Sequence, residues 1–419
     1  MTSRDQPIGY LALVRTNASF RRIWLGDIAS LLGDWFATIA LYTLVRELTG
    51  SPLAMGLVLI TKLLPWALAS PFAGLLVDRL DRRWLMIGSD VVRALVVLGF
   101  LLVEDAADLP LLYLLITLQV VLGAVFIPAR SAVIPNITTA RELLTANTLS
   151  AATWSTLLAV GAALGGVAVA ALGTDWVFLI NSASYLVSAV FIYRAHVPAR
   201  QRPQRPVTLK AAVGDILEGW RHMRRHPRIG RIALTKAAWA LGGGAQVYML
   251  TLLGEHLTPD EPGIGIGLLY AARGLGTGIG PVMARAWVPR QEHWPTLLGL
   301  GIIASGIAYG AVGWSSWSYF VLLLVMFGHM PSGANWTFST VLLQQRTEDD
   351  FRGRVFATEW LLVTFADTVA ILATSLLLEQ GILSLRQGIS MNAAILVATG
   401  IVWLLTIVPS ERRSEASAP

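Results

Sequence analysis

Gly74-Leu75-Leu76-Val77-Asp78-Arg79-Leu80-Asp81-Arg82-Arg83 is the point where two long apolar runs meet. Residues 53–77 before the turn carry one charge, Lys62, and residues 84–103 after it carry two, Asp90 and Arg93. Five charges crowd between Asp78 and Arg83. A helix needs about 20 mostly apolar residues to cross roughly 30 Å of hydrocarbon. Both runs are that long, so the charged stretch reads as a tight turn at one face of a membrane.

The same pattern continues outward in both directions. Spans are expected at 22–45, 53–77, 84–103, 110–129, 145–172 and 175–194, then at 230–253, 264–288, 295–314, 317–343, 355–379 and 388–408. Composition agrees: of 419 residues 55% are hydrophobic and 14% charged, with mean hydropathy +0.61. Soluble domains carry nearer a quarter charged residues. Gly161-Ala162-Ala163-Leu164-Gly165-Gly166 and Gly274-Leu275-Gly276-Thr277-Gly278-Ile279-Gly280 place small residues where helix backbones can approach closely in lipid. No alternating β-barrel pattern is present. The expected fold is an all-α integral membrane protein of twelve transmembrane helices, in two pseudo-symmetric six-helix bundles.

The net charge of +6 and a pI near 9.8 raise the question of nucleic acid. The basic residues, however, are concentrated in alternate loops, from Arg15, Arg21 and Arg22 through Arg79, Arg82 and Arg83 to Arg412 and Arg413. These segments hold 26 of the 32 Lys and Arg residues, while the opposite loops hold only Arg46 and Arg386, against Glu47, Glu104, Asp105, Asp108, Asp175, Glu255, Asp260, Glu261 and Glu379. Short basic loops mark the cytoplasmic side. Both termini are therefore expected in the cytoplasm, with the chain multi-pass in the inner (plasma) membrane and nucleic acid not a partner. There are no cysteines, so disulfide and thiolate chemistry are excluded. No removable signal peptide is expected over residues 1–21.

Residues 1–194 are read as an N-terminal half and 230–410 as a C-terminal half, with a cytoplasmic linker over 195–229 and a tail over 411–419. In the linker, Leu209, Ile216, Leu217, Trp220 and Met223 keep helical spacing, with Arg221, Arg224 and Arg225 on or beside the polar face. That suits an amphipathic helix at the lipid interface or a solvated linker helix. A shift of 211 residues superposes Gly56-Leu57 on Gly267-Leu268, Lys62 on Arg273, Arg79 on Arg290 and Arg141 on Arg352, as parallel repeats would.

The 74–83 turn resembles the signature loop of the major facilitator superfamily, Gly-x-x-x-Asp-Arg-x-Gly-Arg-Arg/Lys, with Asp81 in place of the second glycine. Leu48-Thr49-Gly50-Ser51-Pro52, Pro128-Ala129-Arg130 and Arg352-Gly353-Arg354-Val355 are similar to the bacterial branch holding macrolide-efflux and enterobactin-exporter proteins. The resemblance implies that Gly74, Asp78, Arg79, Arg82 and Arg83 belong to a cytoplasmic gate, with Asp78 facing the start of span eleven. It also relates 161–166 to an antiporter motif that has proline at 162, and would press span five against span eight.

Charges inside spans are expensive and are retained for pairing or function. Asp90 and Arg93 share a helix face and can pair; with Asp27, Lys236 and Glu359 they lie shallow and are assigned to gate networks. Asp34 is deeper, roughly 18 Å in at 1.5 Å per residue, and Lys62 reaches a similar depth. The two are candidates for proton coupling or substrate contact, against a structural salt bridge; Arg273 and Asp367 form the matching candidate pair. Trp35, Trp66, Trp154, Tyr248, Trp336 and Trp360 are candidates for an aromatic substrate surface.

No Walker motif is present, so ATP drive is not expected, and no enzymatic activity, cofactor or metal is indicated. The expected role is a monomeric secondary transporter that exports a small lipophilic or amphiphilic substrate (a drug, macrolide-like compound or siderophore) by proton antiport. An importer or facilitator, and a non-transporting membrane partner, are the alternatives.

Overall fold

The computed structural model describes residues 8–198, 209–288 and 290–416, and every regular element in them is helical. The first helices are α1 Tyr10–Thr16, α2 Ala18–Thr49, α3 Pro52–Arg79, α4 Arg82–Leu98, α5 Leu109–Ile137, α6 Ala140–Leu172 and α7 Thr174–Arg194. They are followed by α8 Leu209–Arg225, α9 Pro227–Leu257, α10 Pro262–Trp287, α11 Trp294–Trp314, α12 Phe320–Arg346 and α13 Asp349–Glu379. Last come α14 Leu385–Val402, a π turn at Trp403–Ile407 and α15 Val408–Ala416.

Helix ends follow local chemistry. Proline opens α5, α9, α10 and α11, where its missing N–H is not needed. Thr139 with Glu142, and Ser384 with Gln387, form capping boxes at α6 and α14. Gly173, at φ +82°, turns the chain between α6 and α7 in a conformation that penalises other residues.

Most helices run several residues past the expected spans, because hydropathy marks only the part that lipid would solvate. Nine helices among the described residues are long and apolar enough to cross a membrane. The long helices α9, α10 and α12 fall outside that set. They are diluted by Lys236 and Gln246, by Arg273 with its run of glycines, and by His329 and Asn335.

Two compact units divide the chain. The first comprises residues 1–49 and 65–209; the second comprises 50–64 and 210–419. In the first, α2 packs on α6 and α7, and α4 on α5 and α7. Gly26 and Gly33 let α2 approach Ser188 and Ser184 of α7. Gly161 and Gly165 admit Trp35 and Phe36 of α2. The small-residue run of span five thus serves contact with span one of its own unit.

The signature turn is also held inside this unit. Asp81 accepts from Trp84 N at 3.1 Å and caps α4, which gives a carboxylate a purpose where the superfamily pattern has glycine. Arg82 donates to Ala132 O at 2.8 Å, and Arg83 donates to Tyr193 O in the last turn of α7, where a cation meets the negative helix end. Arg79 is exposed. The surroundings of Gly74 and the side chain of Asp78 lie outside the described residues.

In the second unit α10 crosses α12, α9 packs on α13, and α11 on α14. Gly276 and Gly280 face the backbone of Met326 and Met330, and Gly333 faces Thr277. The start of α3 belongs here too. Glu379 accepts from Ser51 Oγ (2.6 Å) and Leu53 N (3.1 Å), and the Tyr248 hydroxyl donates to Pro52 O (2.6 Å). The linker helix α8 docks on the first turns of α13. Gly219 lies against Arg354 O, Arg354 pairs with Asp215 (2.9 Å) and Glu218 (3.4 Å), and His222 stacks on Phe351. Residue 411, expected to begin a tail, sits inside α15. Glu411 is 1% exposed and binds Arg231 and Arg346, each at 2.7 Å, because a buried carboxylate needs cations around it.

Candidate functional site

The charges that the sequence places inside spans gather into a set in each unit. In the first, Asp27 of α2 is ion-paired with Arg130 of α5, and Asp90 of α4 with Arg93 one turn later. Asp90 is fully buried and Arg93 nearly so. The Arg93 guanidinium also lies over the rings of Tyr185 (4.3 Å) and Phe126 (4.8 Å).

Tyr185, on α7, connects this set to Asp34. Its hydroxyl donates to Asp34 Oδ1 and accepts from Gln119 Nε2 of α5 at 2.8 Å. Asp34 lies within electrostatic reach of Arg93, Asp90 and Asp27. Four helices therefore converge on one carboxylate, and a phenol donating to it is a geometry through which the charge on Asp34 can act on its neighbours. Sequence reasoning misses Tyr185, Gln119 and the Asp27–Arg130 pairing. The available signal was a phenol and a carboxamide within apolar helices, where polar groups seek partners.

The second unit holds two clusters. In one, Lys236 of α9 pairs with Glu359 of α13 at 3.0 Å and donates to Thr340 Oγ1 at 2.8 Å. Its ammonium stands 4.6 Å from the Trp336 ring, and Trp336 meets Trp360 edge-on at 5.5 Å. In the other, the Tyr309 hydroxyl and His329 Nε2 are bonded at 2.7 Å, both buried. The His329 ring faces Trp239 at 6.2 Å, and Arg273 sits over Tyr270 of its own helix at 5.7 Å. Asp367 lies against Gly244 of α9.

Arg273 and Asp367 do not form the direct pair expected of them. Arg273 is drawn back over Tyr270, and Asp367 is turned onto α9. Lys62 is half-buried on the part of α3 that belongs to the second unit, whereas Asp34 lies in the first.

The aromatic candidates separate by exposure. Trp154 and Trp336 are exposed, while Trp35, Trp66 and Trp360 are half-buried. Tyr248 is fully buried with its hydroxyl on Pro52 O, which removes it from any open wall in this conformation. No cluster of three or more His, Asp or Glu able to hold a metal ion occurs among the described residues.

Comparison with known proteins gives a consistent picture. The family model of the Major Facilitator Superfamily matches residues 23–357. An uncharacterized MFS-type transporter, YfiS of Bacillus subtilis (strain 168), is 26% identical over 94% of both chains. The putative bacilysin exporter BacE of the same organism is 28% identical over 62% of this chain and 64% of its own. The enterobactin exporter EntS of Citrobacter koseri is 23% identical over 82% of each. Among solved structures, the nucleoside transporter NupG superposes with a TM-score of 0.72 at 11% identity, covering 94% of this chain and 99% of that one.

Proposed function

The chain belongs to the Major Facilitator Superfamily, and from that premise we propose that this multi-span membrane transporter is a proton-coupled exporter of small lipophilic or amphiphilic compounds. It works by alternating access in the plasma membrane, with both termini in the cytoplasm. Relatives named as exporters of bacilysin and enterobactin support the export direction. Lys62 is proposed, like Asp34, as a residue for proton coupling or substrate contact. Gly74, Asp78, Arg79, Arg82, Arg83, Asp90, Arg93 and Glu359 are proposed to form the cytoplasmic gate, with Trp35, Trp66, Trp154, Trp336 and Trp360 contacting substrate.

The observation that carries the reading is the Tyr185 hydroxyl donating to Asp34 inside a span. A carboxylate within lipid is expensive to keep charged. Protonation removes that penalty and rearranges the hydrogen bonds of Tyr185 and Gln119, so a proton on Asp34 changes the balance between two arrangements of the first unit. Such a differential is what coupling requires.

The test is a pH jump across proteoliposomes containing a fluorescent lipophilic cation or a macrolide. Wild type moves the compound with the gradient, Asp34→Asn abolishes the gradient dependence, and Tyr185→Phe changes the pH profile while transport persists. Movement that ignores the gradient, or that survives Asp34→Asn unchanged, would replace this reading with a facilitator.

A further inference from the structure

Arg273 on α10 and Asp367 on α13 are opposite charges in one unit, both half-buried, and neither makes a hydrogen bond or ion pair with any described residue. Arg273 Nε, Asp367 Oδ1 and the nearby Trp239 Nε1 are all without a partner. Arg273 nevertheless lies within electrostatic reach of Asp367, His329 and Tyr309. His329 and Tyr309 already satisfy each other.

The backbone explains why the two charges stay apart. Gly276, one turn beyond Arg273, seats α10 directly against His329 of α12, its added Cβ falling 3.1 Å from the His329 Cβ. Gly244 lets Asp367 lie on the surface of α9, where any larger residue would evict it. The Trp239 indole lies over Gly243, on the same stretch of α9.

Ionisable groups left without a partner in a membrane span are retained for something that pairs with them. A cationic ligand would satisfy Asp367 and be repelled by Arg273, while an anionic ligand would do the reverse. A molecule carrying both charges satisfies each without opposing either.

We propose that the second unit binds a zwitterionic amphiphile, an amino-acid-like or peptide-like compound with a free ammonium and a free carboxylate. The ammonium pairs with Asp367 and the carboxylate with Arg273, which can grip it in bidentate fashion. The apolar body lies on the Trp239 and Tyr270 rings, and the Trp239 N–H supplies one further donor. This narrows the substrate class of the proposed exporter and rests on that reading only in calling the ligand a substrate.

The test is equilibrium binding to the full chain in nanodiscs, with no gradient, using three matched fluorescent probes. Nε-dansyl-lysine carries both charges, dansylcadaverine only the ammonium, and Nα-acetyl-Nε-dansyl-lysine only the carboxylate. Wild type binds dansyl-lysine at least about tenfold more tightly than either analogue, a discrimination of ~1.4 kcal/mol. Arg273→Gln reduces dansyl-lysine to the level of dansylcadaverine without weakening dansylcadaverine. Asp367→Asn reduces it to the level of the acetylated probe, and Arg273→Lys keeps a preference for the zwitterion. Equal binding of dansyl-lysine and dansylcadaverine by wild type overturns the proposal, even if every variant fails to fold. So does binding of the lipophilic cation alone, with none of the three probes retained. A failure of proton-driven transport leaves these ratios unaffected, so the two readings fail separately.

Discussion

The two units treat their intramembrane charges in opposite ways. In the first, Asp27 meets Arg130, Asp90 meets Arg93, and Tyr185 bridges Gln119 to Asp34. In the second, Lys236 meets Glu359, but Arg273 and Asp367 remain apart from each other and from every described partner. A charge paired inside a membrane is part of the scaffold, and breaking it exposes the full desolvation penalty of its partner. A charge left unpaired destabilises the resting fold and persists for what it binds or for what it becomes when protonated.

The largest expected effect tests that contrast directly. Arg93→Gln leaves Asp90 buried without its cation, which costs roughly 3–5 kcal/mol and lowers the melting temperature by on the order of 6–20 °C. Asp367→Asn removes a carboxylate that makes no hydrogen bond or ion pair among the described residues and leaves the melting temperature unchanged or raised. Thermal unfolding of the purified protein, followed by loss of a monodisperse elution peak, reads both. Equal losses in the two variants would erase the distinction between the units.

A smaller effect sharpens the contrast by asking how firmly the second unit positions Arg273. Gly280 is two turns from Arg273, and a methyl group there runs into the Met330 carbonyl of α12. A methyl group at Gly278 meets nothing within 4 Å. Gly280→Ala is expected to cost about 1–3 kcal/mol by overpacking. Gly278→Ala is expected to gain up to about 1 kcal/mol from helix propensity. The same melting assay checks both, and matching behaviour would mean that the α10–α12 approach is not tight.

Much of this was legible in the sequence, and what was not has a physical cause. The apolar runs announce the spans, since each must exclude water along its own length. The helices α9, α10 and α12 stand out less because Lys236, Arg273 and His329 are sheltered by neighbouring helices, which hydropathy cannot see. The Asp90–Arg93 contact was legible because both residues lie on one helix, three apart. The bridge from Tyr185 to Asp34 spans 151 positions, and nothing in either helix alone points to it. The cage of Arg231 and Arg346 around Glu411 is equally remote in sequence, which is why residue 411 read as tail. The failure of Arg273 and Asp367 to pair was hidden for another reason. Depth counting places both charges at one level, but Tyr270 and Gly244 decide which way each side chain turns.

The smallest effect lies outside the spans, on α8. His222 is buried, stacked on Phe351 at 4.2 Å and 4.2 Å from the ring of His226. Burial first, and the neighbouring His226 second, hold its imidazole below the ordinary value, against the opposing pull of Glu348 and Glu218. A depressed histidine favours the neutral ring in the docked helix. Its contribution is therefore complete above the ordinary pKa of about 6.5 and is lost as the pH falls through the lower folded value. Hydrogen exchange over residues 214–225, corrected for intrinsic rates, should be faster at pH 5.5 than at pH 7.5 by on the order of a few-fold. His222→Phe keeps the stack and loses the titration, so its protection should be the same at both pH values. Wild-type exchange that stays constant or slows on acidification would show that the salt bridges of Arg354 to Asp215 and Glu218, rather than the stacked ring, hold α8 in place.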